Sequence, residues 1–162
     1  MRFGHISAHL VDGDPAFADT SFGSPRVYSR EFIDGVVAAD GERIARALGI
    51  SHSGLRPYIG VVWVFHDIPS ISERATVYGG VDGYYTPFPA LPFVIKAGYE
   101  ARLNTEQEVS IGEHHARLGL KIGKAHSNGL VFETAYYSGR SMYGQNFGNR
   151  ESYLSFGFSI DY

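Results

Sequence analysis

The last thirteen residues of the chain, Arg150 to Tyr162, read R-E-S-Y-L-S-F-G-F-S-I-D-Y. Leu154, Phe156, Phe158, Ile160 and Tyr162 fall on one side of an extended chain, and Tyr153, Ser155, Gly157, Ser159 and Asp161 on the other. Alternation with period two places one face of a strand in an apolar medium and the other beside polar groups. The segment predicts a strand with two unlike faces, ending on an aromatic residue.

Seven further segments carry the pattern. Arg2–Val11 sets Ile6, Ala8 and Leu10 against His5, Ser7 and His9. Val27–Ala38 is ambiguous, because Arg30 and Asp34 share a side with Phe32 while Ile33, Gly35 and Val37 lie opposite. Leu55–His66 brings Ile59, Val61, Trp63 and Phe65 into phase, and Arg74–Tyr85 does so for Ala75, Val77, Gly79, Val81 and Tyr85. In the fifth, Phe93, Ile95, Ala97, Tyr99, Ala101 and Leu103 alternate with Lys96, Gly98, Glu100, Arg102 and Asn104. The sixth alternates Ala116, Leu118, Leu120 and Ile122 with Glu113, His115, Arg117 and Lys121. The seventh, Leu130–Ser138, opposes Leu130, Phe132 and Tyr136 to Glu133.

A soluble antiparallel sandwich also alternates. Two details favour a transmembrane β-barrel. The polar sides carry charges of both signs in mid-strand, at Lys96–Glu100–Arg102 and Glu113–Arg117–Lys121, where they can pair across a narrow interior. The segments run to about ten to twelve residues, the length of a tilted membrane crossing, against about 5–6 for soluble strands. The fold expected is all-β: an antiparallel transmembrane β-barrel of eight strands spanning 1–162 as one domain, closed by itself or the C-terminal part of a larger barrel.

Composition narrows the classes. Gly 20, Tyr 11 and Phe 11 beside Trp 1 suit curved strands with aromatic anchors. A net charge of −3 gives no basic footprint for nucleic acid. Cys 0 removes disulfides and thiolate metal sites. No apolar run approaches the ~18 residues of a membrane helix. Strand-like sequence begins almost at Met1 with no signal segment before it, which for an outer-membrane protein predicts N-terminal truncation.

The opening G-H-I-S-A-H-L-V-D-G, the central Y-E-A-R-L-N-T-E-Q-E and the closing Y-Y-S-G-R-S-M-Y-G-Q-N-F-G-N-R-E-S-Y-L-S-F-G-F-S-I-D-Y together resemble a family of bacterial outer-membrane proteins known mainly as a domain of unknown function. Its members share an H-x-S-S-H-L-x-D segment, matched here by His5, Ser7, His9, Leu10 and Asp12, with Ala8 in place of the second serine. Tyr136, Tyr137, Gly139, Ser141, Gly144 and Gln145 match its Y-Y-x-G-x-S-x-x-G-Q block. The resemblance implies location in the bacterial outer membrane, a longer N-terminus, lipid and lipopolysaccharide as surroundings, and recognition of Arg150–Tyr162 by the barrel-assembly machinery. It implies no activity.

Three functional classes stay open: a structural or surface-interaction barrel, a lipid-modifying hydrolase, and a narrow passive pore. The catalytic candidates are His5, Ser7, His9 and Asp12. Residues two apart on a strand share a face about 6.7 Å apart, so Ser7 lies beside both imidazoles, as in acyl-transfer catalysis. The plainer reading makes them a polar interior ladder. His5 and His9 lie about 13 Å apart along a strand, too far to share a metal ion, and neither a metal site nor a cofactor is expected. Asp12, Asp14 and Asp19 read as solvated loop acids, and Glu106, Gln107 and Glu108 as a hairpin tip. Arg140, Gln145 and Asn146 are binding candidates for a phosphate or sugar in an outer loop.

Loop lengths orient the chain. With a periplasmic C-terminus, the longer Asp12–Arg26 and Gly139–Asn149 lie outside, and Thr86–Leu91 and Gly123–Asn128 on the periplasmic side. Ala39–Gly54 is long for that side, and its G-E-R-I-A-R-A-L-G core predicts a short helix.

Overall fold

The computed structural model describes residues 1–8, 28–68, 74–104, 110–141 and 149–161. Eight strands follow one another in chain order: β1 (Arg2–Ala8), β2 (Tyr28–Ala38), β3 (Ser53–Ile68), β4 (Ala75–Tyr85), β5 (Phe93–Asn104), β6 (Ser110–Ile122), β7 (Gly129–Arg140) and β8 (Arg150–Asp161). One helix, α1 (Gly41–Ala47), joins β2 to β3. Each strand pairs antiparallel with its sequence neighbours in a single sheet ordered β1 to β8. Among the described residues β1 and β8 do not pair with each other, so the barrel is open.

The sheet curls into a trough. Hydrogen bonds bridge strands two apart, from Tyr78 in β4 to Asp34 in β2 and from Arg117 in β6 to Asp82 in β4. Lys96 in β5 reaches Asp161 in β8. Two register shifts add local bending. One sits between Glu31 and Phe32 of β2, opposite Phe65, and the other between Arg102 and Leu103 of β5, opposite Gly112.

Register fixes the two faces. Asp34, Tyr58, Tyr78, Asp82, Glu100, Arg117 and Lys121 point into the trough, and Trp63, Val77, Ile95, Leu118, Phe132 and Phe156 point out from its convex side. The convex residues are exposed: Trp63 is 55% accessible, Leu118 56% and Phe156 79%. The core lies on the concave side, where Phe32, Val64, Tyr78, Val94 and Val131 are buried, and Lys121 is 1% exposed. The polarity of an ordinary half-solvated sheet is therefore reversed.

Glycines and aromatic rings interlock on the concave side. A Cβ added at Gly4 would lie 2.2 Å from the Phe32 ring, at Gly60 2.3 Å from Tyr78, at Gly54 2.5 Å from Tyr84, and at Gly80 2.6 Å from the Tyr58 hydroxyl. Each ring occupies the space that a neighbouring strand's glycine leaves, a recurrent device for packing curved sheets. Phe32 also resolves the ambiguous second strand: its ring fills the trough over Gly4, beside Asp34.

α1 forms in the connection where the sequence predicts a short helix. Asp40 caps it, its Oδ1 accepting the backbone N–H groups of Glu42 and Arg43 at 3.1 Å each. Gly49, at φ 72°, ends it: its N–H donates to Arg46 O and that of Ile50 to Ala45 O, the paired bonds of a left-handed glycine cap. Ala45 is buried, and Gly41 lies so close to Leu55 and Arg56 that a Cβ would come within 2.9 Å of their backbone.

Candidate functional site

Charge pairing runs the length of the trough. At the end where α1 and the connections 86–92 and 123–128 lie, Asp161 accepts from Lys121 Nζ at 2.8 Å and from Lys96 Nζ at 3.1 Å. Lys121 also donates to Ser127 O at 2.6 Å and Ala125 O at 3.4 Å, so this buried ammonium has three acceptors. In mid-trough Asp82 pairs with Arg117 at 2.7 Å and Arg56 at 3.3 Å. Tyr58 donates to Glu100 at 3.0 Å, and Tyr78 to Asp34 at 2.7 Å. Arg2 also meets Asp34, at 3.0 Å. Towards the far end Arg102 lies 3.0 Å from Glu100 and 3.7 Å from Glu113. Burying charge is tolerable only where it is paired and hydrogen-bonded, and these groups are.

Of the mid-strand charges expected to pair across the interior, Lys96, Glu100, Arg117 and Lys121 find partners two or three strands away, in Asp161, Tyr58, Asp82 and Asp161, whereas Arg102 and Glu113 pair between neighbouring strands. The partners Asp82, Asp161 and Tyr58 are not singled out by sequence. The signal that finds them is the cross-strand pairing of tyrosine with glycine, which needs register as well as pattern.

A cavity of about 680 Å³ occupies the far half of the trough. Arg2, Arg30, Arg102, Glu113, Glu133 and His115 contribute to its polar lining, and Ile6, Val62 and Val64 to its apolar lining. Arg140, the binding candidate at the end of β7, also borders it, and its carbonyl accepts from the Tyr137 hydroxyl at 2.6 Å. Gln145 and Asn146, the other two binding candidates, lie outside the described residues.

His5 and Ser7 are placed on the convex side. Arg2, Gly4 and Ile6 face the trough, which turns the alternate residues of β1 outward. The expectation that His5 and Ser7 face the interior, whether as a ladder or as a catalytic pair, is corrected by this register: Gly4 is the residue that Phe32 packs upon. His5 instead lies beside Glu31, with Nδ1 3.7 Å from Oε1, and His66 approaches the other oxygen at 3.8 Å. Ser7 sits opposite Ser29. His9 and Asp12 lie outside the described residues. Among the described residues no three histidine or carboxylate side chains converge as a metal site.

On the convex side two tyrosines carry polar contacts. Tyr99 Oη lies 2.7 Å from His114 Nδ1, and Ser152 Oγ donates to Tyr136 Oη at 3.1 Å. Tyr99, Ala116, Tyr136 and Leu154 lie on one line of register across β5 to β8, and Phe156, Phe158 and Ile160 continue along β8 towards the α1 end.

No protein-family model, curated protein or solved structure matches the chain.

Proposed function

We propose that this chain is an arc of a bacterial outer-membrane β-barrel with a structural or surface-interaction role. The observation that carries the reading is the reversed polarity: an exposed convex side that is largely apolar from β3 to β8, around a concave side where Asp34, Asp82, Glu100, Arg102, Arg117, Lys121 and Asp161 are paired. Water favours the opposite arrangement; a hydrocarbon exterior favours this one. Along β8 the apolar residues from Leu154 to Ile160 cover roughly 20 Å of strand at ~3.3 Å per residue, about 15 Å of height at a tilt of about 35–45°, which fits within the ~25 Å apolar belt of such barrels. The unpaired β1 and β8 edges support membership of a wider barrel closed by strands beyond these eight. In this reading the convex side meets outer-membrane lipid and lipopolysaccharide, and the β8 edge is offered to the assembly machinery.

Trp63, the one tryptophan, stands on the convex side and reports directly. Folded with phosphatidylcholine vesicles, the chain should give blue-shifted Trp63 emission that acyl-chain bromines quench, and Leu118→Arg should weaken insertion by about 2–4 kcal/mol. A lipid-free folded monomer whose Trp63 emits as in water would overturn the proposal.

A further inference from the structure

The connection 39–52 has a role that the barrel reading leaves unexplained. α1 packs on β3, yet its Glu42 reaches beyond β3. Glu42 Oε1 accepts from the Tyr84 hydroxyl of β4 at 3.2 Å and lies 2.9 Å from His126 Nε2 in the β6–β7 connection. Tyr84 Oη is itself 3.1 Å from His126 Nε2, and the two rings meet edge to face at 5.5 Å. Three elements therefore converge on one point, passing over the end of β5.

The anchoring turn is itself fastened down. Lys121 Nζ holds the carbonyls of Ala125 and Ser127, and Ser127 Oγ accepts from Lys124 N at 3.1 Å. Gly123 N–H donates to Pro92 O at 2.8 Å. Beneath this layer Val94, the concave residue of β5 paired with Lys121, is 1% exposed. In the far half of the trough, by contrast, the concave side opens into the cavity of about 680 Å³.

We propose that α1 is a strap across the near mouth of the trough, latched by Glu42 onto Tyr84 and His126. Its N-terminal end is fixed by the Asp40 cap and the close Gly41–β3 approach, and its C-terminal end by the Gly49 turn. The Glu42 side chain is the one described ion-pair link between the helix and the opposite wall, so releasing it frees the strap without cutting a strand pairing. The strap covers the near end of this trough and leaves its far half open to the cavity.

The absence of cysteine makes the test clean. Val94→Cys introduces a thiol on the concave side at the near end of the trough, and Val64→Cys one in the far half. Each is placed in the folded, detergent-solubilised full chain and labelled with a small water-soluble maleimide. With the latch intact, the thiol at position 94 should react slowly. Adding Glu42→Ala should accelerate it at least tenfold while leaving position 64 unchanged. Exchanging the pair, Glu42→His with His126→Glu, should restore slow labelling. An unchanged rate at position 94, an equal acceleration at both positions, or failure of the exchange to restore protection would overturn the strap.

Discussion

β5 and β8 carry the same alternating signature at equal length, yet they occupy different surroundings. β5 sits between two partners; its Val94 is buried and its Lys96, Glu100 and Arg102 all have ionic or hydrogen-bonded partners. β8 has one partner, and from Ser152 to Ile160 it is exposed on both sides. The pattern in a strand therefore specifies which side is which, and the number of neighbours is decided elsewhere. What ties β8 to the middle of the sheet is Asp161, whose carboxylate reaches Lys96 and Lys121.

Removing that tie should have the largest effect. Asp161→Asn leaves the nearly buried Lys121 ammonium on carbonyls alone. Stripping one partner from a buried pair costs about 3–5 kcal/mol, reduced here to about 2–3 because Asp161 is half-exposed. Urea unfolding in lipid, followed by Trp63 emission, measures it. No change would mean that β8 is held by its ladder to β7 alone.

Glycine replacements sharpen the contrast between centre and flank. Gly60→Ala drives a methyl into the Tyr78 ring, and overpacking of this kind costs about 1–3 kcal/mol. Gly157→Ala, on β8, meets nothing within 4 Å and should be neutral or slightly stabilising in the same unfolding experiment. Equal losses at both sites would erase the distinction.

The smallest loss is expected at Ser155→Ala. Its hydroxyl donates to Ala135 O at 3.3 Å on an exposed strand, so the loss should stay below about 0.5 kcal/mol, at the lower limit for a hydrogen bond. A loss as large as that at Gly60 would show that the flank is packed against something in the folded state.

Much of this architecture was legible in the residues. Alternation over Phe93–Asn104 coincides with β5, that over Leu55–His66 stops two residues short of β3 at each end, and the helix falls within its expected stretch. Tyr99, Leu118 and Phe156 share one side, and Glu100, Arg117 and Ser155 the other, as alternation requires. The first strand was read with its sides exchanged. Ile6 is apolar and His5 polar, so pattern alone sends Ile6 outward, but the fit of Phe32 onto Gly4 outweighs it. That interaction joins residues 28 positions apart and exists only once register is set. The Glu42–Tyr84–His126 convergence is hidden for the same reason, since its members lie in a helix, a strand and a turn far apart in the chain and no spacing relates them.

The strict β1-to-β8 order bears on how such a sheet comes into being. Every strand pairs only with the one before and the one after it, so contacts are local and the entropy of loop closure is met in small steps. Such a chain can grow by one hairpin at a time. At every stage the last strand added offers its free backbone to the next arrival, and the same geometry that ends the sheet at β8 would be the template on which it was extended.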